Sequence, residues 1–190
     1  MVFQMIKNKG FTLIEVLVTV IILSISLLGL VALQSVSNFS TYEARQKTIA
    51  VYVANDLMER IRVNKSSWMN IIIAAGENGM SDNTENQSYP SSQPSCSEDD
   101  NLNDCSDENR MNDDLFKWKS VMEQSINGTS LYSPVGCINA VKITGKEAAT
   151  IQIVISWQDK EELKDSADIT QISCGAVGRK HRQFVLESTL

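Results

Sequence analysis

The stretch that decides the reading is KNKGFTLIEVLVTVIILSISLLGLVAL, Lys7–Leu33. From Val16 to Leu33 it runs 18 residues without an ionisable side chain. A helix of that length spans about 27 Å, close to the hydrocarbon thickness of a bilayer. Lys7 and Lys9 precede it. The positive-inside tendency then puts the N-terminus in the cytoplasm and everything after Leu33 outside. A secretory signal would end in a prompt small-x-small cleavage site, and none follows here. A plain uncleaved anchor explains the length and the lysines but not Glu15. A carboxylate at the centre of a membrane helix costs about 2.5–3.5 kcal/mol, less near an end, and such acids usually have a partner. The competing reading of Glu15 is a snorkelling residue near the helix end.

The helical pattern continues beyond the apolar run. Val36, Phe39, Tyr42, Ile49, Val53, Leu57 and Ile61 recur at spacings of three, four and seven, which is one apolar stripe. Glu43, Arg45, Lys47, Asp56, Glu59, Arg60 and Arg62 decorate the rest, and no proline occurs before Pro90. One helix is expected from about Phe11 to Val63, roughly 80 Å long. It is apolar all round over 11–33 and amphipathic over 34–63, so its second part should lie against a globular domain. Gly29, near Ser24 and Ser26, is the weakest point of the first part.

Residues 64–190 supply that domain. Ile71 to Ala75 reads as a short strand or a buried helix tail, and Gly76 to Asn109 as loop. Asn112 or Asp113 should cap a helix running to about Ile126, with Leu115, Trp118, Met122 and Ile126 on one face and Gly128 ending it. Strands are expected at Cys137–Thr144, Thr150–Trp157 and Gln183–Ser188. The fold class is therefore α+β, with a long helix packed on a three- or four-stranded antiparallel sheet. Trp68, Trp118 and Trp157 read as core or interface aromatics.

Composition narrows the chemistry. The chain has 190 residues and a net charge of −6, which argues against a general nucleic-acid binder. Its cysteines are Cys96, Cys105, Cys137 and Cys174, and its one histidine is His181. No Cys-x-x-Cys pair suggests zinc. An even cysteine count beyond a membrane segment points to two disulfides in an oxidising compartment. Three pairings are possible. Cys96 with Cys105 and Cys137 with Cys174 is favoured, the first closing a short loop and the second tying a strand start to a late loop.

No nucleophile, base and acid stand at motif spacing, and no glycine-rich phosphate loop follows a strand, so catalysis and cofactors are not expected. The acidic loop 96–114, SEDDNLNDCSDENRMNDD from Ser97 onward, is dense enough in carboxylates to suggest calcium. An EF-hand register from Asp99, however, puts Asp104 where glycine belongs and Arg110 where the bidentate glutamate belongs. A solvated loop is the simpler reading, with no metal. Arg179, Lys180, His181 and Arg182 make a short basic cluster, opposed for DNA binding by that loop.

KGFTLIEVLVTVIIL resembles the class III signal of type IV pilins and pseudopilins, in which a short basic leader ends in Gly before Phe and an apolar helix. The resemblance implies a lollipop fold, a long helix with an α/β head. It implies that a prepilin peptidase and N-methyltransferase removes residues 1–10 by cutting between Gly10 and Phe11, then methylates the new Phe11 amine. Glu15 would pair with the Phe11 amine of a neighbouring subunit, since two charges out of water are tolerable together and costly apart. Many pilins carry a helix-breaking proline in this helix, and this chain does not. Downstream, DDLFKWKSVMEQSI, IQIVISWQD and CGAVGRKHRQFVLESTL, in that order, resemble the PilV type of minor pilin. GLVALQ and ANDLMERIR fit the same pattern. That group implies a structural subunit working with other minor pilins and the major pilin, from the inner membrane to the assembled pilus. Its roles are pilus initiation, twitching motility, adhesion and sometimes DNA uptake. A minor pseudopilin of a type II secretion system shares the signal and the helix, and is the nearest alternative.

Overall fold

The computed structural model describes residues 10–76, 80–85, 90–93, 105–124, 131–159, 172–176 and 180–190. In chain order its elements are α1 (Leu13–Val63), α2 (Lys65–Ala74), β1 (Met80–Asn83), α3 (Asp107–Glu123), β2 (Val135–Lys142), β3 (Ala149–Gln158) and β4 (His181–Thr189). The chain divides between Ala44 and Arg45 into two compact units. The fold is α+β, as expected.

In the first unit α1 runs unbroken through Gly29. Its hydroxyls bond back to its own carbonyls, Thr19 to Val16 at 2.8 Å, Ser24 to Val20 at 2.7 Å and Ser26 to Ile22 at 2.9 Å. No side-chain donor on that stretch then needs water, which suits a helix in hydrocarbon. By length and composition the helix is long and apolar enough to cross a membrane.

In the second unit α1 buries Gln46, Ile49, Ala50, Val53, Ala54, Leu57, Met58 and Ile61, an i, i+3, i+4 stripe. Val36, placed on the expected stripe, is exposed. Asn64 turns the chain, and α2 follows, so Ile71 to Ala75 is the helix tail rather than a strand. Three corrections concern the stretch read as loop and its helix. First, β1 lies inside it, because four residues with little strand propensity, MSDN, gain their hydrogen bonds by pairing with β2. Second, α3 starts at Asp107, within the acidic stretch. Ser106 is its cap and accepts from the Asn109 N–H at 3.2 Å, while Asp107 and Glu108 in the first turn complement the helix dipole. Neither Asn112 nor Asp113 caps it. Third, α3 ends at Glu123, and Ile126 and Gly128 lie outside the described residues.

The strands form one antiparallel sheet in the order β1-β2-β3-β4. Ile151, Ile153, Ile155 and Trp157 alternate onto the core face of β3, where they meet Trp68, Trp118 and the α1 stripe. All three tryptophans are buried.

The opposite face of the sheet is covered at one end by residues 172–176. Cys174 is disulfide-bonded to Cys137 and packs with Val135 and Val154. Gln183 clamps the same segment, accepting from the Ile172 N–H at 3.0 Å and donating to its carbonyl at 2.8 Å. Gly175, at φ +64, sits so close to Val135 that a Cβ there would come within 2.9 Å of it. Cys105 is also disulfide-bonded, and its expected partner Cys96 lies outside the described residues. The Cys137–Cys174 bond spans 37 residues, so loop entropy sets its contribution at about 4 kcal/mol. A Cys137→Ser, Cys174→Ser double variant should lose that much in a denaturant titration, with little change under reducing conditions.

Candidate functional site

The residues singled out at the N-terminus sit at the start of α1. Gly10, Phe11 and Thr12 precede the first helical residue, Leu13, and all are exposed. The Gly10–Phe11 bond therefore lies in non-helical chain, the form a protease needs, and a Cβ on Gly10 would meet nothing within 4 Å. Phe11 is 83% exposed.

Thr12 starts the helix. Its carbonyl accepts from the Glu15 N–H at 3.1 Å and from the Val16 N–H at 3.3 Å, and its Oγ1 lies 3.4 Å from the Glu15 nitrogen. That local turn places the Glu15 carboxylate in the first turn of α1, where the helix dipole favours negative charge. The side chain is exposed, so its pairing capacity faces outward from its own helix.

A second cluster was not legible in the sequence. Asp114 on α3 is buried, and its Oδ2 accepts from Asn64 Nδ2 at 2.8 Å and from Trp68 Nε1 at 3.0 Å. It joins α3 to the α1–α2 turn. Burial pushes its carboxyl above the ordinary value, opposed by those two hydrogen bonds and by nearby Arg60. Asp113 pairs with Lys117 at 2.8 Å. Asp107 accepts from Asn70 Nδ2 at 2.7 Å, and that bond, with one from Ser67, holds its carboxyl below the ordinary value. The C-terminal part of the acidic stretch is thus a helix with structural partners rather than a solvated loop. Among the described residues no group of three or more His, Cys, Asp or Glu is arranged to hold a metal ion. Only the four-residue spacing from Asp114 to Trp118 on the α3 face hinted at this cluster; its partners at Asn64 and Trp68 are about fifty positions away.

Lys180 and Arg182, from the basic cluster, are also committed to structure. Arg182 Nε bonds Asp159 at 2.8 Å, and the Lys180 carbonyl accepts from the Asp159 N–H at 2.7 Å.

A long apolar helix preceded by Gly-Phe-Thr, with an acid in its first turn and an α+β unit after it, is the arrangement expected from the resemblance of the N-terminal stretch to pilins. Comparison with family models agrees: residues 5–31 match the prokaryotic N-terminal methylation motif. That match supports a type IV pilin-like family, whose members are structural proteins, and implies processing by a prepilin peptidase. Comparison with curated proteins and with solved structures found no match.

Proposed function

We propose that this chain is a minor pilin of the PilV type, a structural subunit that helps initiate type IV pilus assembly. The observation that carries the reading is the methylation motif over residues 5–31 coinciding with an exposed Gly10–Phe11 bond just ahead of α1. The N-terminus faces the cytoplasm, where the prepilin peptidase cuts after Gly10 and methylates Phe11. The α+β unit faces the periplasm. The chain is the substrate of that enzyme and is itself no enzyme. In the filament the protonated Phe11 amine of one subunit pairs with Glu15 of the next. The order of the downstream segments favours the pilus over the secretion pseudopilus.

Intact mass and N-terminal sequencing of protein recovered from membranes and from sheared pili test the first step. The expected mature chain begins at methylated Phe11; an intact Met1 start sinks the proposal. For the pairing, Glu15→Leu should leave cleavage intact and lower recovery in sheared pili by about tenfold or more, since an unpaired buried charge remains. Equal recovery would assign Glu15 to the helix dipole alone. Deletion of the gene should abolish twitching and spare secretion; the reverse result favours the type II pseudopilus.

A further inference from the structure

Among the described residues no strand pairs with the outer edge of β4. Ala149 and Leu190 exchange both backbone hydrogen bonds, the Asp159 N–H reaches the Lys180 carbonyl, and the register between β3 and β4 is continuous. In an antiparallel ladder bonded and non-bonded pairs alternate. Residues 182, 184, 186, 188 and 190 therefore bond to β3, and the N–H and C=O groups of Val185, Glu187 and Thr189 point the other way. They have no hydrogen-bond partner among the described residues, and all three residues are exposed.

Sheet edges are normally blunted by proline, lysine, a bulge or short length. β4 is nine residues long, contains no proline or lysine and carries no bulge. Its arginine, Arg182, is held by Asp159. The core face is also incomplete at this edge. Phe184 and Leu186 pack on the core but stay half-buried, while their neighbours Ile153 and Ile155 on β3 are 0% exposed. A further strand would cover them. Glu187 projects from the edge and forms no ion pair among the described residues, in a chain of net charge −6.

We propose that β4 takes up an extended segment of another polypeptide as a fifth strand. The segment is apolar on the side that continues the Phe184–Leu186 face and carries a lysine or arginine across from Glu187. Backbone hydrogen bonds supply the affinity and the two side-chain positions the selectivity. The inference stands on the second unit alone and is independent of the pilus assignment.

The test uses the full chain in detergent and a short capped peptide of alternating valine and threonine with one central lysine. Saturating peptide should slow amide exchange at Val185, Glu187 and Thr189 by about tenfold, a stabilisation of about 1.4 kcal/mol. Phe184 and Leu186, already bonded to β3, should not change. Val185→Pro removes only an outward N–H, so binding should be lost with Phe184 and Leu186 still protected. Glu187→Lys should weaken the lysine peptide about fivefold and favour a glutamate version of it. Unchanged exchange in the wild-type chain, or equal binding by V185P, overturns the proposal. If V185P loses protection at Phe184 and Leu186, the charge swap decides, and equal affinity of E187K for both peptides overturns it. Protection that rises with protein concentration without peptide would make a second copy the occupant and overturn the assignment to a foreign strand.

Discussion

Replacing Gly136 with alanine is expected to destabilise the second unit by about 3 kcal/mol, the upper range for overpacking a core. Gly136 lies on the core face of β2, opposite Ile155, and the Trp118 ring rests on it. A Cβ there would stand 2.9 Å from both Cζ2 and Cζ3 of Trp118, and closer still to Cη2. The ring has no room to retreat. It is fully buried, and its Nε1 donates to the Val53 carbonyl at 2.9 Å. Relief would require breaking that bond or moving α1 against the sheet. Gly145 provides the control. It has φ +76 and open space around a Cβ, so Gly145→Ala should cost only its backbone strain, about 1 kcal/mol. Denaturant titration of the full chain in detergent checks both. Equal costs at the two positions would mean that the Trp118 contact is not rigid.

Asp114 should show the second large effect, and its size depends on the replacement. Asp114→Ala leaves the buried Trp68 N–H and the Asn64 amide without their acceptor, at a cost of about 3 kcal/mol. Asp114→Asn keeps an oxygen in place and should fold nearly as well as the wild type. The pH dependence separates the two roles of this carboxyl. Its folded value is raised by burial, so the folded state takes up a proton before the unfolded state as pH falls. The stability this contributes is fully present below the unfolded value and is lost as pH rises through the folded one. Asp114→Asn removes that dependence. Its melting temperature relative to wild type should therefore be higher at pH 7 than at pH 3.5. A difference that is flat with pH, or that falls from acid to neutral, would mean that the carboxylate is not penalised by burial.

Local signals carried much of this fold. The apolar run and the stripe to Ile61, with no proline, specify α1 to within two residues at its start and to Val63 at its end. Period-two alternation from Ile151 to Trp157 marks β3, because a central strand must show alternate residues to the helices. Gly10, Phe11 and Glu15 stand close together in the sequence, and the structure places them at one helix start. The Cys137–Cys174 pairing was favoured on sequence grounds and is present.

What depended on contacts between distant residues was not legible. MSDN has no strand propensity worth the name, and β1 exists because β2 offers it a ladder. Ser106 outcompetes Asn112 and Asp113 as a cap because the two aspartates that follow are needed elsewhere, Asp113 by Lys117 and Asp114 by Asn64 and Trp68. A carboxylate reads as solvated in sequence, and only the tertiary structure brings donors from about fifty residues away to bury it. The place of β4 at the end of the described sheet belongs to the same class, since sheet order is set by long-range pairing. The sequence by itself determined the long apolar helix, the N-terminal methylation motif and the periodic strand β3, since each needs only neighbours along the chain. The tertiary structure alone decided which polar groups are buried and which backbone groups are left to bind.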